Sequence, residues 1–150
     1  MGTTWSTPIR VNDDTGTNSQ FLPRISLDQA DGMIAVTRYD ARNSPHNDTA
    51  QYFGAFSSDG GATFGANFQI SSGTSNQANS IAVLKKADYG DYSGNAFVGG
   101  RLVPAWADNS NSTGDNPDAA TDFDVYTAIV RSPVMPVTYG PIVATGTSAR

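Results

Sequence analysis

The sequence predicts an all-β fold made of short antiparallel strands. Glycine (15) and proline (8) are plentiful among the 150 residues, which is typical of a chain rich in turns. No segment carries a sustained 3.6-residue apolar period, so we expect no long helix. Aromatic and β-branched residues instead occur in short runs, separated by Gly, Asn, Asp, Ser or Pro.

These runs predict the individual strands. We expect strands at 4–11, 20–27, 33–39, 51–57, 64–71, 93–98, 101–107 and 124–131. Pro23 has no N–H to donate, which restricts the second strand to a sheet edge or makes the proline part of a strand start. The polar stretch 108–122 predicts a long surface loop, and residues 132–150 predict a C-terminal tail.

The chain contains an internal repeat. Residues 32–40 resemble residues 100–108 at an offset of 68, and both segments run from a glycine to an aspartate. Residues 52–57 resemble residues 125–130 at an offset of 73, and residues 4–12 resemble residues 63–71 at an offset of 59. Offsets that drift in this way are what loop insertions produce. The repeat predicts two copies of one structural unit, at about 13–73 and about 79–131.

One motif suggests a tight turn between two strands. The segment Ser57-Ser58-Asp59-Gly60-Gly61-Ala62-Thr63-Phe64 has the form Ser-x-Asp-x-Gly-x-Thr-aromatic. Its glycine permits positive φ, its hydroxyl and carboxylate oxygens can accept hydrogen bonds from turn amides, and its aromatic ring can be buried between sheets. The five defining positions are Ser57, Asp59, Gly61, Thr63 and Phe64.

This motif resembles the Asp-box, or BNR repeat, of sialidase-like β-propellers. Thr4-Trp5 is similar to the second half of another such box, whose first half would precede Met1. Further segments are similar to blades of bacterial members of the family: 11–14, 20–25, 39–43, 89–94 and 104–108. The resemblance implies four-stranded antiparallel blades, about two of them within residues 1–131, and a secreted or extracellular bacterial parent. It also implies a structural role for the Asp-box, away from the central pocket.

Composition excludes several classes of function. The net charge of −5 and the pI near 4.5 argue against a nucleic-acid partner. The longest aliphatic run, at 81–84, is far too short to span a membrane, and no apolar segment after Met1 suggests a signal peptide. With no cysteine, disulfides and zinc–thiolate sites are excluded, and we expect no required cofactor.

Sialidase chemistry is incomplete in this chain. The family uses an arginine cluster, a tyrosine nucleophile activated by a glutamate, and an aspartate acid/base, but all 14 acidic residues here are Asp. The candidate catalytic residues are Asp40 and Asp108, at equivalent ends of repeated strands, and Asp91 with its neighbour Tyr92. Two carboxylates at a suitable separation can hydrolyse a glycoside. The favoured alternative is that the repeated aspartates accept hydrogen bonds from turns.

Binding and metal candidates are similarly open. Arg24 and Arg42 could bind an anionic ligand. Aromatic residues are expected to form the core, but Trp106 and Tyr39, at equivalent places, would be exceptions if their rings face the channel. His46 lies in a polar loop and is expected to be exposed. Hard oxygen donors suitable for Ca²⁺ cluster at Asp108, Asn109, Asn111 and Asp115, and a solvated turn is the favoured alternative.

Two blades are too few to close a propeller, which typically has four to eight. The sequence therefore predicts cyclic self-association, in which strand 4–12 of one copy completes the unfinished sheet of the next, with a trimer preferred. The alternative is a fragment of a longer propeller. The predicted function is a module that presents a glycan- or protein-binding surface. The alternative is a sialidase-like glycoside hydrolase whose site is assembled from several chains.

Overall fold

A computed structural model describes residues 2–80, 89–117, 119 and 122–133. The strands are β1 (Gln20–Leu27), β2 (Ile34–Asp40), β3 (Gln51–Ser57), β4 (Phe68–Gln69), β5 (Gly94–Val98), β6 (Arg101–Asp108), β7 (Asp124–Thr127) and β8 (Val130–Arg131). A single 3₁₀ turn at Gln77–Asn79 is the one helical element of this part of the chain. The all-β prediction is confirmed.

Sheet 1 is an antiparallel meander in the order β1-β2-β3-β4. The β2–β3 ladder is regular, from Ile34 opposite Ser57 to Asp40 opposite Gln51. β1 is an edge strand, as Pro23 requires, and its register with β2 shifts between Phe21 and Arg24. The proline therefore lies in an irregular part of an edge strand, where a missing N–H costs no ladder bond.

Sheet 2 also contains four strands, but they occupy three strand positions. β5 pairs with one edge of β6, and both β7 and β8 pair with the other edge. β7 and β8 share one register, because Trp106 pairs with Tyr126 and Leu102 pairs with Val130. Pro104 therefore lies opposite Ala128, and the ladder breaks where proline has no N–H to donate. The predicted strand 124–131 is thus a single strand interrupted in its middle.

Two predicted strands are shorter or absent. Within 64–71, only Phe68 and Gln69 pair with β3 as a strand. Their register would place Ala66 opposite Phe56, but the Gly65 N–H donates to the Phe56 carbonyl at 2.9 Å, so the register shifts by one residue there. The Asn67 side chain donates to the carbonyl of Val11 at 3.0 Å. Residues 2–12 belong to no strand, and Trp5 is 91% exposed. The predicted strand 4–12 has no strand partner within the described residues. The aliphatic run 81–84 and most of the predicted tail, 134–150, lie outside those residues.

The two sheets pack face to face around an aromatic cluster. Tyr39, Tyr52, Tyr89 and Trp106 are all buried, and the rings of Tyr52 and Trp106 stack with centroids 4.9 Å apart. The Tyr39 hydroxyl accepts a hydrogen bond from the Ala107 N–H and donates one to its carbonyl, both at 2.8 Å. Burial raises the pKa of Tyr39, so its hydroxyl remains a donor at neutral pH.

A buried carboxylate joins the sheets at one end. Asp28 is fully buried, and it accepts hydrogen bonds from the Gly100 N–H at 2.6 Å and the Ala30 N–H at 3.0 Å. The bonds from Gly100 and Ala30 lower the pKa of Asp28. Gly100 has φ 71°, a conformation that glycine adopts without strain. The turn after β1 is therefore attached to the β5–β6 hairpin.

Candidate functional site

The 57–64 turn is closed by its own side chains. Ser57 Oγ accepts a hydrogen bond from the Gly61 N–H at 2.9 Å and donates one to Asp59 at 2.8 Å. The other Asp59 bonds come from the Thr63 hydroxyl and the Thr63 N–H, at 2.5 and 2.9 Å. The Thr63 donors, followed by Ser57, lower the pKa of Asp59 to about 2. Gly61 has φ 88°, so both the bonds and the backbone agree with the turn that the sequence predicts.

This turn borders a cavity of about 580 Å³ between the sheets. Its lining is mainly apolar and includes Phe56, Phe64 and Val130, with Arg131 at the margin. Phe64 is half-buried against this cavity and lies outside any strand. The aromatic residue of the motif therefore forms part of a concave surface between the two sheets.

Asp40 lies at the centre of an ion-pair network. One carboxylate oxygen accepts hydrogen bonds from Arg38 at 3.0 Å and Arg42 at 2.8 Å, and the other accepts from Gln20 at 3.3 Å. Burial alone would raise the pKa of Asp40, but the hydrogen bonds from Arg42 and Gln20 outweigh it and lower that pKa. Asp40 is 1% exposed, so its ionised carboxylate is fixed in place and closed to a substrate.

Arg42 also forms its ion pairs within the chain. Its guanidinium pairs with Asp13 at 2.7 Å and with Asp40, and it lies over the Phe53 ring at 4.6 Å. Burial would lower the pKa of Arg42, but hydrogen bonds to Asp40 and Asp13 raise it. The predicted anion-binding arginine therefore holds the segment around Asp13 against sheet 1.

Asp108 occupies the equivalent strand end in sheet 2. One of its oxygens accepts from Ser75 Oγ at 2.9 Å and from the Ser110 N–H at 2.7 Å. The other accepts from Trp106 Nε1 at 3.0 Å. Asp108 is 2% exposed, so its carboxylate is occupied by internal donors in the same way as that of Asp40.

Asp91 and Tyr92 are the candidate catalytic residues that reach solvent. Both are exposed, and the Arg24 guanidinium lies 5.5 Å from the centre of the Tyr92 ring. Arg24 also donates through Nε to the carbonyl of Ser93, which ties β1 to the start of β5. An arginine, a tyrosine and an aspartate thus lie at one surface.

Trp106 is a core residue in this structure. It is 4% exposed, with its ring stacked on Tyr52 and its indole N–H bonded to Asp108. It therefore offers no free ring face to a ligand at the surface. His46 is exposed in its loop, as predicted.

The side chains of the four calcium candidates bond to separate partners inside the chain. Asn109 exchanges two hydrogen bonds of 2.9 Å with the backbone of Asn76, while Asn111 accepts from the Asn116 N–H and Asp115 accepts from Thr113. Asp108 is directed toward Trp106 and Ser75 instead. Among the described residues, no three His, Cys, Asp or Glu side chains converge as a metal site. These internal hydrogen bonds favour the alternative of a solvated turn over calcium binding, and both stay predictions.

Sequence reasoning missed the residues that join distant segments. Asn67 and Asp13 are 54 positions apart, and each donates its backbone N–H to the other's side chain, at 2.9 and 3.1 Å. Asp28 reaches Gly100 across 72 positions. Periodicity carries no signal for such pairs. For the contact between Asp13 and Asn67, the only hint in the sequence is the opposite charge of Asp13 and Arg42.

Comparison with protein-family models, curated proteins and solved structures gives no match. Within the residues that the structure describes, no helix has the length and apolar character needed to cross a bilayer.

Proposed function

We propose that the chain is a pair of β-propeller blades of the sialidase-like kind, acting as a non-catalytic binding module. The observation that supports the proposal is that both repeated aspartates are buried and hydrogen-bonded inside the chain. Asp40 and Asp108 end equivalent strands, and internal donors occupy the carboxylate of each. A glycosidase needs carboxylates that contact the scissile bond, and these two are enclosed. Their repetition therefore serves the architecture of each blade.

The ligand surface that we favour is an open cavity of about 360 Å³ beside the aromatic cluster. Its apolar lining includes Phe21 and Tyr89, and its polar lining includes Asn47, Asp48 and Gln77. Rings beside amide and carboxylate groups suit a sugar, which combines apolar C–H faces with hydroxyl groups. A glycan is thus the ligand class that this lining fits best.

The ring is completed by further blades, which we assign to other copies of the chain. Sheet 2 has three strand positions where sheet 1 has four, and its outer edge is open among the described residues. Residues 4–10 are exposed, and segment 4–12 belongs to no strand. Its similarity to residues 63–71 gives it the character of a fourth strand. Strand exchange between copies would cover the edge. In a longer parent propeller, neighbouring blades would cover it instead.

A sialidase-like hydrolase remains the second candidate, and the surface of Arg24, Asp91 and Tyr92 favours it. These are the residue types that the family uses, but the chain has no glutamate to activate the tyrosine. The two candidates differ in one measurable property, which is turnover.

A panel of fluorogenic glycosides that includes a sialoside separates the candidates. We expect no turnover by the wild-type chain, and we expect weak glycan binding that Gln77→Ala reduces and Asn43→Ala leaves unchanged. Turnover that Asp91→Ala abolishes and Asn43→Ala preserves would establish the hydrolase. Glycan binding indifferent to Gln77→Ala would remove the proposed cavity as the ligand site.

A further inference from the structure

Each sheet has one face packed on the other sheet and one face turned away from it. In β2, Ala35, Thr37 and Tyr39 face sheet 2, because their side chains belong to the clusters or bonds between the sheets. In β6, Leu102 and Trp106 face sheet 1. Side chains alternate along a strand, so the intervening residues define the outer faces. The outer face of sheet 1 contains Ile34, Val36, Arg38 and Asp40, and that of sheet 2 contains Val103, Ala105 and Ala107.

The two outer faces are the repeat equivalents of the two faces that already pack together. With the offset of 68 between the repeats, the outer row of β2 matches the packed row of β6. By the same offset, the outer row of β6 matches the packed row of β2. A rotation relates sheet 1 to sheet 2 within the chain. If the same rotation is applied once more, the outer face of sheet 2 meets the outer face of another sheet 1, which belongs to a second copy.

Both outer faces expose large apolar side chains. On sheet 2, Val125 is 81% and Val98 is 71% exposed, and both share the outer face through their pairing with Ala107 and Arg101. On sheet 1, Ile25 is 69% and Leu27 is 52% exposed, whereas Val36, Arg38 and Asp40 are buried, so the open part of this face is the end near Leu27. Apolar patches of this kind mark interaction surfaces in soluble proteins.

From this equivalence we infer that the outer face of sheet 2 docks head to tail on the outer face of sheet 1 in a second copy of the chain. The inference rests on the proposed propeller and names the surface through which its blades meet. Such a contact joins two different surfaces, so repeated copies form a ring when the rotation closes.

The packing inside the chain predicts the contacts at this interface. Phe97 of sheet 2 packs in one cluster with Ala35, and its ring centroid lies 5.6 Å from that of Phe56 in sheet 1. Leu27 is the equivalent of Phe97 in the other repeat. Leu27 pairs with Ile34, two positions after Gly32, and Phe97 pairs with Leu102, two positions after Gly100. Leu27 of the second copy is therefore the side chain that enters the outer face of sheet 2.

The residues that receive Leu27 follow from the same offsets. Val103 holds the place of Ala35, and Ile129 holds the place of Phe56. Both are apolar and exposed. The shared register of β7 and β8 places Ile129 opposite Val103, on the outer face of sheet 2. The predicted contact is thus one leucine against a valine and an isoleucine.

Charge supports the same orientation. Arg101 and Arg131 pair with each other at one end of the outer face of sheet 2, and both are exposed. At the matching end of sheet 1, the turns carry the exposed Asp31 and Asp59. Stacking by the repeat rotation keeps matching ends together, so arginines of one copy meet aspartates of the next.

Two single variants test the inference by complementation. Leu27→Asp blocks the outer face of sheet 1, and Val103→Asp blocks that of sheet 2, so each variant alone should elute at the mass of one 15.8 kDa chain. Mixed in equal amounts, each supplies the face that the other lacks. The mixture should give a particle of about twice the single mass and nothing larger. Ala78→Asp, an exposed substitution on neither face, should assemble like the wild type.

Far-UV circular dichroism first establishes that each variant folds. If Val103→Asp does not fold, Val125→Asp blocks the same face at a more exposed position. A folded monomeric wild type, or variants that assemble as the wild type does, would overturn the docking inference. A folded monomer would also contradict the assignment of the missing blades to other copies. Glycan binding, and its loss in Gln77→Ala, tests the binding-module proposal separately. A mixture that remains at single mass would show that the two faces do not meet, and would also overturn the inference.

Discussion

Replacing Asp108 by alanine should destabilise the fold strongly. The substitution removes the acceptor of three hydrogen bonds, from Ser75 Oγ, the Ser110 N–H and Trp106 Nε1, at 2.7–3.0 Å. A buried donor left without an acceptor costs about 1–3 kcal/mol. With some relaxation, the loss in the free energy of unfolding should reach roughly 3–5 kcal/mol.

The size of the chain converts that loss into temperature. For a domain of this length, 1 kcal/mol shifts the Tm by about 2–4 °C, so Asp108→Ala should lower it by roughly 6–20 °C. Asp108→Asn keeps one acceptor for Ser75 and Ser110 but turns an amide N–H₂ toward the Trp106 indole N–H. Its expected loss is smaller, about 1–3 kcal/mol.

Thermal and urea unfolding followed by far-UV circular dichroism measures these losses. Asp91→Ala is the matched control, because Asp91 is exposed and its removal should change stability by no more than about 0.5 kcal/mol. If Asp108→Ala unfolds at the wild-type temperature, the carboxylate is not a structural element of the blade. That result would favour a catalytic role for Asp108.

The remaining predictions concern packing, pH and metal binding. Gly54→Ala places a Cβ 2.7 Å from the Phe68 ring and should cost about 1–3 kcal/mol, whereas Gly94→Ala meets nothing within 4 Å and should be nearly neutral in the same urea titration. The pKa of Asp59 is about 2 in the folded state, below its ordinary 3.8, so the stability that it contributes is complete above that ordinary pKa and is lost as pH falls toward 2. Asp59→Asn should therefore flatten the acid limb of a plot of Tm against pH. Because Asp108 is occupied by internal donors, millimolar Ca²⁺ and EDTA should leave the Tm unchanged, and a rise with Ca²⁺ would contradict this.

Local patterns were sufficient to predict the central strands. β2, β3 and β6 lie where alternating apolar runs between turn residues place them. The break in 124–131 was not predictable from that segment, because its cause is Pro104 on the neighbouring strand. The short β4 likewise depends on a register shift at Gly65, whose N–H donates to Phe56 of the neighbouring strand.

The candidate site residues were easier to identify than their roles. Asp40 and Asp108 stand out in the sequence because they end repeated strands, and Arg42 stands out as a cation close to the first of them. Whether such a residue faces a substrate or a partner inside the chain depends on contacts far away in sequence, such as Arg42 with Asp13. Residue type and local spacing do not encode these contacts, so the sequence leaves the catalytic and structural alternatives open.

The mass of the wild-type chain in solution shows directly whether copies of the chain assemble. Light scattering coupled to size-exclusion chromatography, across a dilution series, should give a closed multiple of 15.8 kDa, with three copies preferred. Removal of residues 2–12 should reduce that mass, because the exchanged strand would be lost. A folded, monodisperse single chain at every concentration would contradict self-association. An assembly whose mass is unchanged by that deletion would contradict the exchange of strand 4–12.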